Sequence, residues 1–258
     1  MIFGIFHAGS GLGNQLFRYV MTRVLALDKG YKFSMINPEG FKGKFFMQLD
    51  TGEPRLGFTV EQGSGRVITQ SDLPLWEEKK VVENGVDIRS YDPEINFVGN
   101  DIIIDGEFQD ERYFEHRLPE IREWLKVEPL YMPDDLCIIG FRGGEYTLYS
   151  DLFLPITYWE EAVKMMKEKN SHMKFRIVTD DPELASKLFP FEVTHEIGMD
   201  WRQVRYAKHL IIANSSFYIL PALLNEDVKE VIAPRFWGKR NKGFWSLNQN
   251  YYKKFTYV

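Results

Sequence analysis

The chain has 258 residues, a formal net charge of −5 and 27% charged residues. This acidic balance does not resemble the basic footprint of a nucleic-acid-binding protein, so we expect no nucleic-acid partner. Apolar residues make up 44% of the chain, enough for a sizeable core, and the 15% of aromatic residues fits either a bulky core or surfaces that stack on sugars and bases.

The number of cysteines and the lengths of the apolar runs indicate the cellular compartment in which the chain is expected. Cys137 is the single cysteine, so the chain forms no internal disulfide, which favours a reducing compartment. Its apolar neighbours predict a packed core thiol. Residues 1–8 lack the basic start of a targeting signal, and no apolar run approaches 18 residues. We therefore expect a cytoplasmic protein with at most peripheral membrane contact.

The first half of the chain opens with a nucleotide-binding pattern. A short apolar strand over 2–8 meets glycines at 9–13, and apolar spacing predicts a helix over 14–27. The remaining elements of this half, in chain order, are a strand at 32–36, loops and short strands over 37–72, a strand at 102–105 and a helix over 111–125.

The second half alternates strands and helices, which predicts a parallel sheet with ligands at the carboxyl ends of its strands. Residues 127–135 carry two prolines and two aspartates and predict a linker. We therefore expect two domains, 1–130 and 131–258. Predicted strands are 136–141, 174–178, 210–213 and 230–233, and predicted helices are 156–169, 182–188, 201–207 and 217–224.

The glycine turn, residues 9–13, is the first candidate site. Gly11 and Gly13 permit close backbone approach, and the following helix, which starts near Asn14 and Gln15, directs N–H groups at the turn. This pattern fits phosphate binding or a tight turn without a ligand. His7 lies at the mouth of the turn. The other histidines show no metal-ligand spacing, so we expect no metal site.

The second candidate cluster is at 142–146 (RGGEY), after the strand at 136–141. Arg142 at a strand end suits a diphosphate, and Glu145 suits a base or a partner of Arg142. The alternative is a surface turn with one ion pair.

Two further clusters follow strands. Asp181, in the sequence TDDP, fits either a contact to a base or ribose or the N-cap of a helix. Asn214, Ser215 and Ser216 precede an apolar helix, where hydroxyl and N–H groups fit either a phosphate or a simple N-cap. We expect the three second-half clusters to converge.

Taken together, these clusters resemble the bacterial alpha-1,2-fucosyltransferase family. The matching stretches run in order along nearly the whole chain: 10–19 (SGLGNQLFRY) with GGLGNQxFQY, 106–114 (GEFQDERYF) with GYWQSEKYF, 179–181 with S/T-D-D, and 213–217 (ANSSF), Asn225, 231–234 (VIAP) and Trp237 with the family's ending.

The resemblance implies an α/β fold of GT-B type, with two Rossmann-like domains whose parallel sheets face a cleft. It implies an acceptor-side first domain and a nucleotide-sugar-binding second domain. It also implies GDP-fucose as donor, a glycan acceptor, inversion at the anomeric carbon and no metal or other cofactor. The oligomeric state stays open.

One stretch departs from the family. Its H-x-R-R-x-D is replaced by residues 140–145 (GFRGGE), which keep Arg142 but place Gly140 at the histidine position. This leaves three alternatives: another GDP-linked or nucleotide-linked deoxysugar, a non-catalytic binding protein, or an unrelated NAD-dependent oxidoreductase. For the transferase we expect Arg142 to stabilise the leaving group and Glu145 or Asp151 to take the acceptor proton.

Overall fold

The structure, a computed structural model, describes residues 1–54, 60–63, 66–69, 73–83, 86–89, 91–236 and 252–258, with the backbone alone for 60–63, 66–69, 80–83 and 86–89. It forms two compact units. The N-terminal unit comprises Met1–Val82 and Arg89–Lys126, and the C-terminal unit comprises Glu83–Ile88 and Val127–Val258.

Four strands of the N-terminal unit form one sheet. The elements up to residue 126 are β1 (Ile2–Ile5), α1 (Leu12–Lys29), β2 (Phe33–Ile36), β3 (Val60–Gly63), β4 (Arg66–Thr69), β5 (Leu75–Glu77), β6 (Lys80–Glu83), β7 (Val86–Arg89), β8 (Ile102–Asp105) and α2 (Leu118–Trp124). The sheet order is β2-β1-β8-β5, with every neighbouring pair parallel. β3 pairs with β4, and β6 with β7, in separate two-stranded sheets.

The opening strand and helix follow the prediction, with different bounds. The strand ends at Ile5 rather than at 8, because the chain turns at His7, whose carbonyl accepts from the N–H of Ser10 at 3.1 Å. α1 is longer than predicted and buries its apolar residues, including Leu16 and Val20, against the sheet.

The single helix predicted over 111–125 is wrong. Two 3₁₀ turns, Glu111–Tyr113 and Glu115–Arg117, precede α2. Between them Phe114 has φ −145° and ψ −4°, outside the helical region, and its buried ring packs on Phe17 at 5.7 Å. Packing of this ring overrides the local helical pattern.

The C-terminal unit is a six-stranded parallel sheet with helices. Its elements are β9 (Leu136–Phe141), α3 (Ile156–Lys169), β10 (Lys174–Thr179), α4 (Pro182–Leu188), β11 (Glu192–Thr194), α5 (Ile197–Tyr206), β12 (His209–Ile212), α6 (Ser216–Leu224), β13 (Glu230–Ala233) and β14 (Thr256–Tyr257). The order is β11-β10-β9-β12-β13-β14, again with all pairs parallel.

The predicted alternation in this half is confirmed, with two strands missed. β11 and β14 are three and two residues long and have no apolar run that would distinguish them. α5 begins four residues before the predicted start at 201, because the Glu196 carboxylate accepts from the N–H groups of Gly198 and Met199 at 2.9 and 2.6 Å.

Part of the aromatic excess serves the core. In the C-terminal unit Phe141, Trp159 and Phe189 are buried and in mutual contact, with ring centroids 5.4–6.0 Å apart. Cys137 is fully buried, as predicted, and burial raises the pKa of its thiol well above the usual value. The chain is thus an α/β protein with two parallel sheets.

Candidate functional site

The C-terminal sheet has its switch point between β9 and β12. Numbered within the unit, the strands run 3-2-1-4-5-6, so successive crossovers leave β9 in opposite directions. Ligands of open parallel sheets bind outside the carboxyl ends of the strands at this point. Here those ends carry Arg142 after β9, Asp180 after β10 and Asn214 after β12.

Arg142 is the centre of this group. Its Nη1 lies 2.5 Å from Asp180 Oδ2, its Nη2 lies 3.0 Å from Glu145 Oε1, and its guanidinium is 5.1 Å from the centroid of the Tyr146 ring. The side chain is 26% exposed. Its Nε is buried and, among the described residues, has no hydrogen-bond partner. Carboxylates thus occupy two of the five N–H donors of Arg142, and the side chain stays partly exposed.

Two glycines bring β9 and β10 into close contact. The N–H of Gly143 donates to Asp180 Oδ1 at 3.0 Å, and that of Gly144 to Asp181 Oδ2 at 3.2 Å. A Cβ on Gly143 would lie 2.6 Å from Cβ of Asp181, and Gly144 has φ +40°. Larger residues would separate the strand ends, which explains the glycines after Arg142.

Asp181 has the N-cap role predicted as one of its alternatives. Its Oδ1 accepts from the N–H of Leu184 at 3.0 Å, in the first turn of α4. Together with the bond from Gly144, this occupies one site on each carboxylate oxygen. A carboxylate has about four acceptor sites, so a contact to a base stays a prediction.

The start of α6 completes the group. Asn214 is fully buried, and its Nδ2 donates to Leu152 O at 3.1 Å. Ser215 occupies the N-cap position but makes no side-chain cap hydrogen bond. Tyr146 Oη donates to Asn214 O at 3.3 Å, and burial raises the pKa of Tyr146. These contacts confirm that the three second-half clusters converge.

Gly140, where the resembling family has a histidine, has a clear packing reason. A Cβ on Gly140 would lie 2.7 Å from Cδ1 and Cγ of Tyr218. Tyr218, on α6, donates from its hydroxyl to Phe141 O at 2.7 Å and to Val178 O at 3.2 Å. Its ring fills the space that a histidine at 140 would need.

The two predicted bases differ in their surroundings. Glu145 lies in the 3₁₀ turn Gly144–Leu148, is 66% exposed and pairs with Arg142. It is therefore the predicted partner of that arginine, and its role as a base stays a prediction. Asp151 is half-buried in the segment between this turn and α3.

The N-terminal sheet has its own switch point, between β1 and β8. His7 follows β1, and Asp105 ends β8. His7 Nε2 lies 3.0 Å from both carboxylate oxygens of Asp105. Burial favours a raised pKa for Asp105, but the hydrogen bond from His7 and the charges of His7 and Arg18 lower the pKa below its usual value.

Arg18, on α1, connects this pair to the glycine turn. Its guanidinium donates to Ser10 Oγ at 2.6 Å, to Gly106 O at 2.7 Å and to Glu107 Oε1 at 3.1 Å, and its Nε lies 3.3 Å from Asp105 Oδ1. The side chain is only 8% exposed. Its bonds are all inside the protein, so it holds the turn in place.

The predicted residues of the glycine turn take different positions. Gly11 is the exposed N-cap of α1, and a Cβ there would meet nothing within 4 Å. Gly13 is buried in the helix. Asn14 Oδ1 accepts from Gln109 at 3.1 Å. Gln15 is fully buried; its amide donates to Gly40 O at 2.9 Å and accepts from the N–H of Lys42 at 2.9 Å. Ligand binding by these residues stays a prediction.

The segment after β8 is strained. Phe108 is fully buried with φ +49°, rare for an aromatic residue. The buried carboxylate of Glu78 holds this turn by accepting from the N–H groups of Glu107 and Phe108 at 2.7 and 3.2 Å. Strain of this kind clusters at functional sites.

Sequence reasoning placed Asp180 in the candidate cluster at 179–182 without a role of its own, and it assigned no role to Asp105 or Arg18. The available signals were the strand-end position of Asp105 and the presence of Arg18 where the resembling family has glutamine. Trp237, part of the family resemblance, lies outside the described residues. A cavity of about 270 Å³ along the carboxyl half of β2, lined by residues 34–39 and 51–54, contains none of the predicted site residues.

Two findings concern metals and membranes. Within the described part of the chain, no group of three or more His, Cys, Asp or Glu side chains is placed to hold a metal ion. Over the same residues, no helix combines the length and the apolar character needed to cross a membrane.

No protein-family model and no curated protein sequence matches the chain. Among solved structures it is similar to NodZ alpha-1,6-fucosyltransferase soaked with GDP-fucose, at 12% identity and TM-score 0.47, over 89% of this chain and 93% of that one. It is also similar to E. coli heptosyltransferase WaaC with ADP, at 11% identity and TM-score 0.44, over 100% and 92% of the two chains. Both scores are below 0.5, so neither likeness carries an argument here.

Proposed function

We propose that the chain is a glycosyltransferase that moves fucose, or a related deoxysugar, from a GDP-sugar to a hydroxyl of a glycan acceptor. The observation that carries the proposal is the convergence of Arg142, the Asp180–Asp181 pair and the start of α6 at the switch point of the C-terminal sheet. The ordered motif resemblance supports the same reaction.

Arg142 is the proposed ligand of the diphosphate. In the free chain it pairs with Asp180 and with the exposed Glu145. An exposed ion pair contributes little, so phosphate oxygens can replace Glu145 at small cost. Arginine forms paired hydrogen bonds with phosphate, and its charge opposes the negative charge that develops on the leaving group.

The start of α6 and the glycine turn are the proposed further phosphate contacts. An N-terminus whose N-cap side chain makes no bond offers N–H groups and a positive dipole end to an anion. Asp181 is assigned to the base, and the amides at Gly11 and Gly13 to the diphosphate. We propose that this positive charge serves in place of a metal, and that the acceptor hydroxyl attacks from the face opposite the leaving group, which gives inversion.

A second candidate keeps nucleotide binding without fucose transfer. The observation that favours it is the Tyr218 ring, which fills the space next to Gly140 where the resembling family has a histidine. A different donor sugar or a non-catalytic binding protein fits this change.

A nucleotide panel tests the proposal. Thermal unfolding is followed with GDP, UDP, dTDP, CMP or NAD at equal concentration. We expect GDP to raise the midpoint most, by mass action on the folded state. Stabilisation by NAD alone, or by no nucleotide, contradicts the proposal. Release of GDP from GDP-fucose and from GDP-mannose then separates fucose transfer from the second candidate.

A further inference from the structure

The inference concerns the cavity along the carboxyl half of β2, which has no role in the proposed reaction so far. This β2 cavity lies within the N-terminal unit, between residues 34–39 and 51–54, and has a volume of about 270 Å³. Pockets for drug-sized ligands usually enclose about 300–1,000 Å³. The β2 cavity therefore suits a single small ring better than an extended chain.

The space arises because one side chain is missing opposite β2. The segment 51–53 runs antiparallel to β2, and the N–H of Glu53 donates to Phe33 O at 2.9 Å. Gly52 is thereby placed directly opposite Ser34. Side chains of opposed residues normally contact one another, but Gly52 has none. Glycine is required there, because its φ is +80° and a Cβ would clash with Phe33 O.

Ser34 contributes an unsatisfied hydroxyl group to the cavity. Its neighbours on the same face of the sheet are apolar: Phe3 is its partner on β1, and Ile36 lies two residues further along β2. Ser34 is only 5% exposed and lines the cavity. Among the described residues its hydroxyl has no hydrogen-bond partner. A buried hydroxyl without a partner is costly and rare in native proteins, and a ligand that supplies the partner offsets this cost.

The other polar groups of the cavity suit the hydroxyl groups of a sugar. They are the amide of Asn37, the hydroxyl of Thr51 and the carboxylates of Glu39 and Glu53. Amide, hydroxyl and carboxylate oxygens all accept hydrogen bonds from hydroxyl groups, and the amide N–H and the hydroxyls also donate. The cavity thus offers several hydrogen-bonding groups around a space of ring size.

The charge of the cavity restricts the ligand further. In the described part of the chain its only charged groups are the carboxylates of Glu39 and Glu53. Glu53 is half exposed and pairs at 2.9 Å with Lys32, which is more exposed still and lies outside the cavity. Such a pair is weak, so ligand groups can replace Lys32. Because the cavity lacks a cation for a phosphate or a carboxylate, its ligand carries no negative charge.

We propose that the β2 cavity binds one hexose ring that carries no acidic group. Hydroxyl groups of the ring bond to Ser34 and Thr51, and the carboxylates accept from further hydroxyl groups or from an ammonium group of an amino sugar. Binding of the ring rests on the cavity alone. Its assignment as one unit of the glycan acceptor rests on the proposed function.

The chain contains a matched control for Ser34. Thr22 is fully buried in the same unit, but its hydroxyl donates to Arg18 O at 2.8 Å, and it does not line the cavity. Ser34→Ala removes a buried hydroxyl that has no partner among the described residues, and Thr22→Val removes one that has a partner.

The experiment measures the Kd of the full chain for four methyl glycosides, those of galactose, N-acetylglucosamine, glucosamine and glucuronic acid. We expect at least one of the three without an acidic group to bind in the millimolar range, as befits a ligand of this size, and the glucuronide not to bind. Ser34→Ala should weaken binding about 2–10-fold, as expected for the loss of one hydrogen bond, without lowering the unfolding midpoint. Thr22→Val should bind the glycosides as the wild type does.

The outcomes separate this inference from the proposed function, because GDP binding is measured on the same proteins. If GDP binds but no glycoside does, or if Ser34→Ala binds the glycosides as tightly as the wild type, this inference is wrong and the proposed function stands. Binding of the glucuronide as tightly as the others overturns the ligand class. If the glycosides bind but GDP does not, the proposed function fails, and the cavity remains a sugar site without the assignment to an acceptor.

Backbone amide chemical shifts of the wild-type protein locate the sugar without any substitution. On addition of the tightest-binding glycoside we expect the largest shifts at residues 34–39 and 51–54. Largest shifts in any other part of the chain contradict the proposal.

Discussion

The two parallel sheets place an arginine beside their switch points, and the two arginines are used differently. Arg18 is 8% exposed, and its donors are bonded to Ser10, Gly106 and Glu107. Arg142 is 26% exposed, pairs with the 66% exposed Glu145, and has a buried Nε without a partner in the described structure.

The difference teaches which arginine can bind a ligand. A guanidinium whose bonds are all buried and internal serves folding, because exchanging any partner leaves another group unsatisfied. A partly exposed guanidinium whose carboxylate partner is exposed and exchangeable can bind an anion. The N-terminal sheet edge thus has a fixed arginine, and the C-terminal edge has an arginine suited to phosphate.

The largest expected effect is on stability, from Arg18→Met. This change removes the hydrogen bonds that the buried Arg18 donates to Glu107 and Gly106 O, at a cost of about 3–5 kcal/mol in the free energy of unfolding. Chemical denaturation measures it. The matched change Arg142→Met should cost under about 1 kcal/mol. Equal losses at the two sites would remove the distinction between the arginines.

The second effect is on rate, from Arg142→Ala. Loss of one preorganised donor should lower kcat/KM for GDP-sugar turnover about 10²–10³-fold. Arg176→Ala is the control, because Arg176 is 30% exposed and pairs with the 62% exposed Glu192 at 2.8 Å, much as Arg142 pairs with Glu145. Full activity of Arg142→Ala would show that the assignment is wrong.

The third effect concerns the altered motif. Gly140→Ala places a methyl group 2.7 Å from the Tyr218 ring and should destabilise the fold by about 1–3 kcal/mol. In a Tyr218→Ala background the same change should cost much less, since the ring is gone. A double-mutant cycle of unfolding free energies measures the coupling, and simple additivity of the two losses would contradict the packing explanation.

The smallest effects are on the pH dependence of the free energy of unfolding. One aspartate in each unit contributes, and the two shift this free energy in opposite directions as the pH rises. The lowered pKa of Asp105 means that its contribution is present above the unfolded pKa, near 4, and is lost as the pH falls through the folded value. In Asp105→Asn the free energy of unfolding should therefore fall less steeply than in the wild type as the pH drops below about 4. Acid titration of the unfolding free energy checks this.

Asp200 changes the free energy of unfolding with pH in the opposite direction to Asp105. Burial raises the pKa of Asp200 to about 6, so the folded state holds a proton that the unfolded state releases, and stability falls as the pH rises from about 4 to about 6. Asp200→Asn should remove this fall, on the order of 1–2 kcal/mol after solvent screening. An unchanged pH profile would contradict the shift.

The sequence predicted the parallel sheets because their strands are short apolar runs, such as 136–141, separated by helical spacing. It also predicted the convergence of the second-half clusters, since parallel strands end at one edge. It did not predict the pairing of Arg142 with Asp180, because nothing in the local sequence distinguishes the two adjacent aspartates. In the structure Asp181 caps α4, and Asp180 pairs with Arg142.

The pairing of His7 with Asp105 could not be predicted from the sequence for a different reason. Ninety-eight residues separate its members, and only the insertion of β8 beside β1 brings them together. The break of the helix predicted over 111–125 has a similar origin, in the packing of Phe114 against α1. Local patterns predict elements, and long-range pairings select which polar groups meet.

Calorimetric titration with GDP tests the central claim most directly. The wild type, Arg142→Ala and Arg176→Ala are titrated at the same ionic strength. The account predicts that GDP binds the wild type and Arg176→Ala equally, and binds Arg142→Ala about 10–100-fold more weakly, as expected for a charge-assisted hydrogen bond. Equal affinity of all three proteins, or no binding to the wild type, would contradict it.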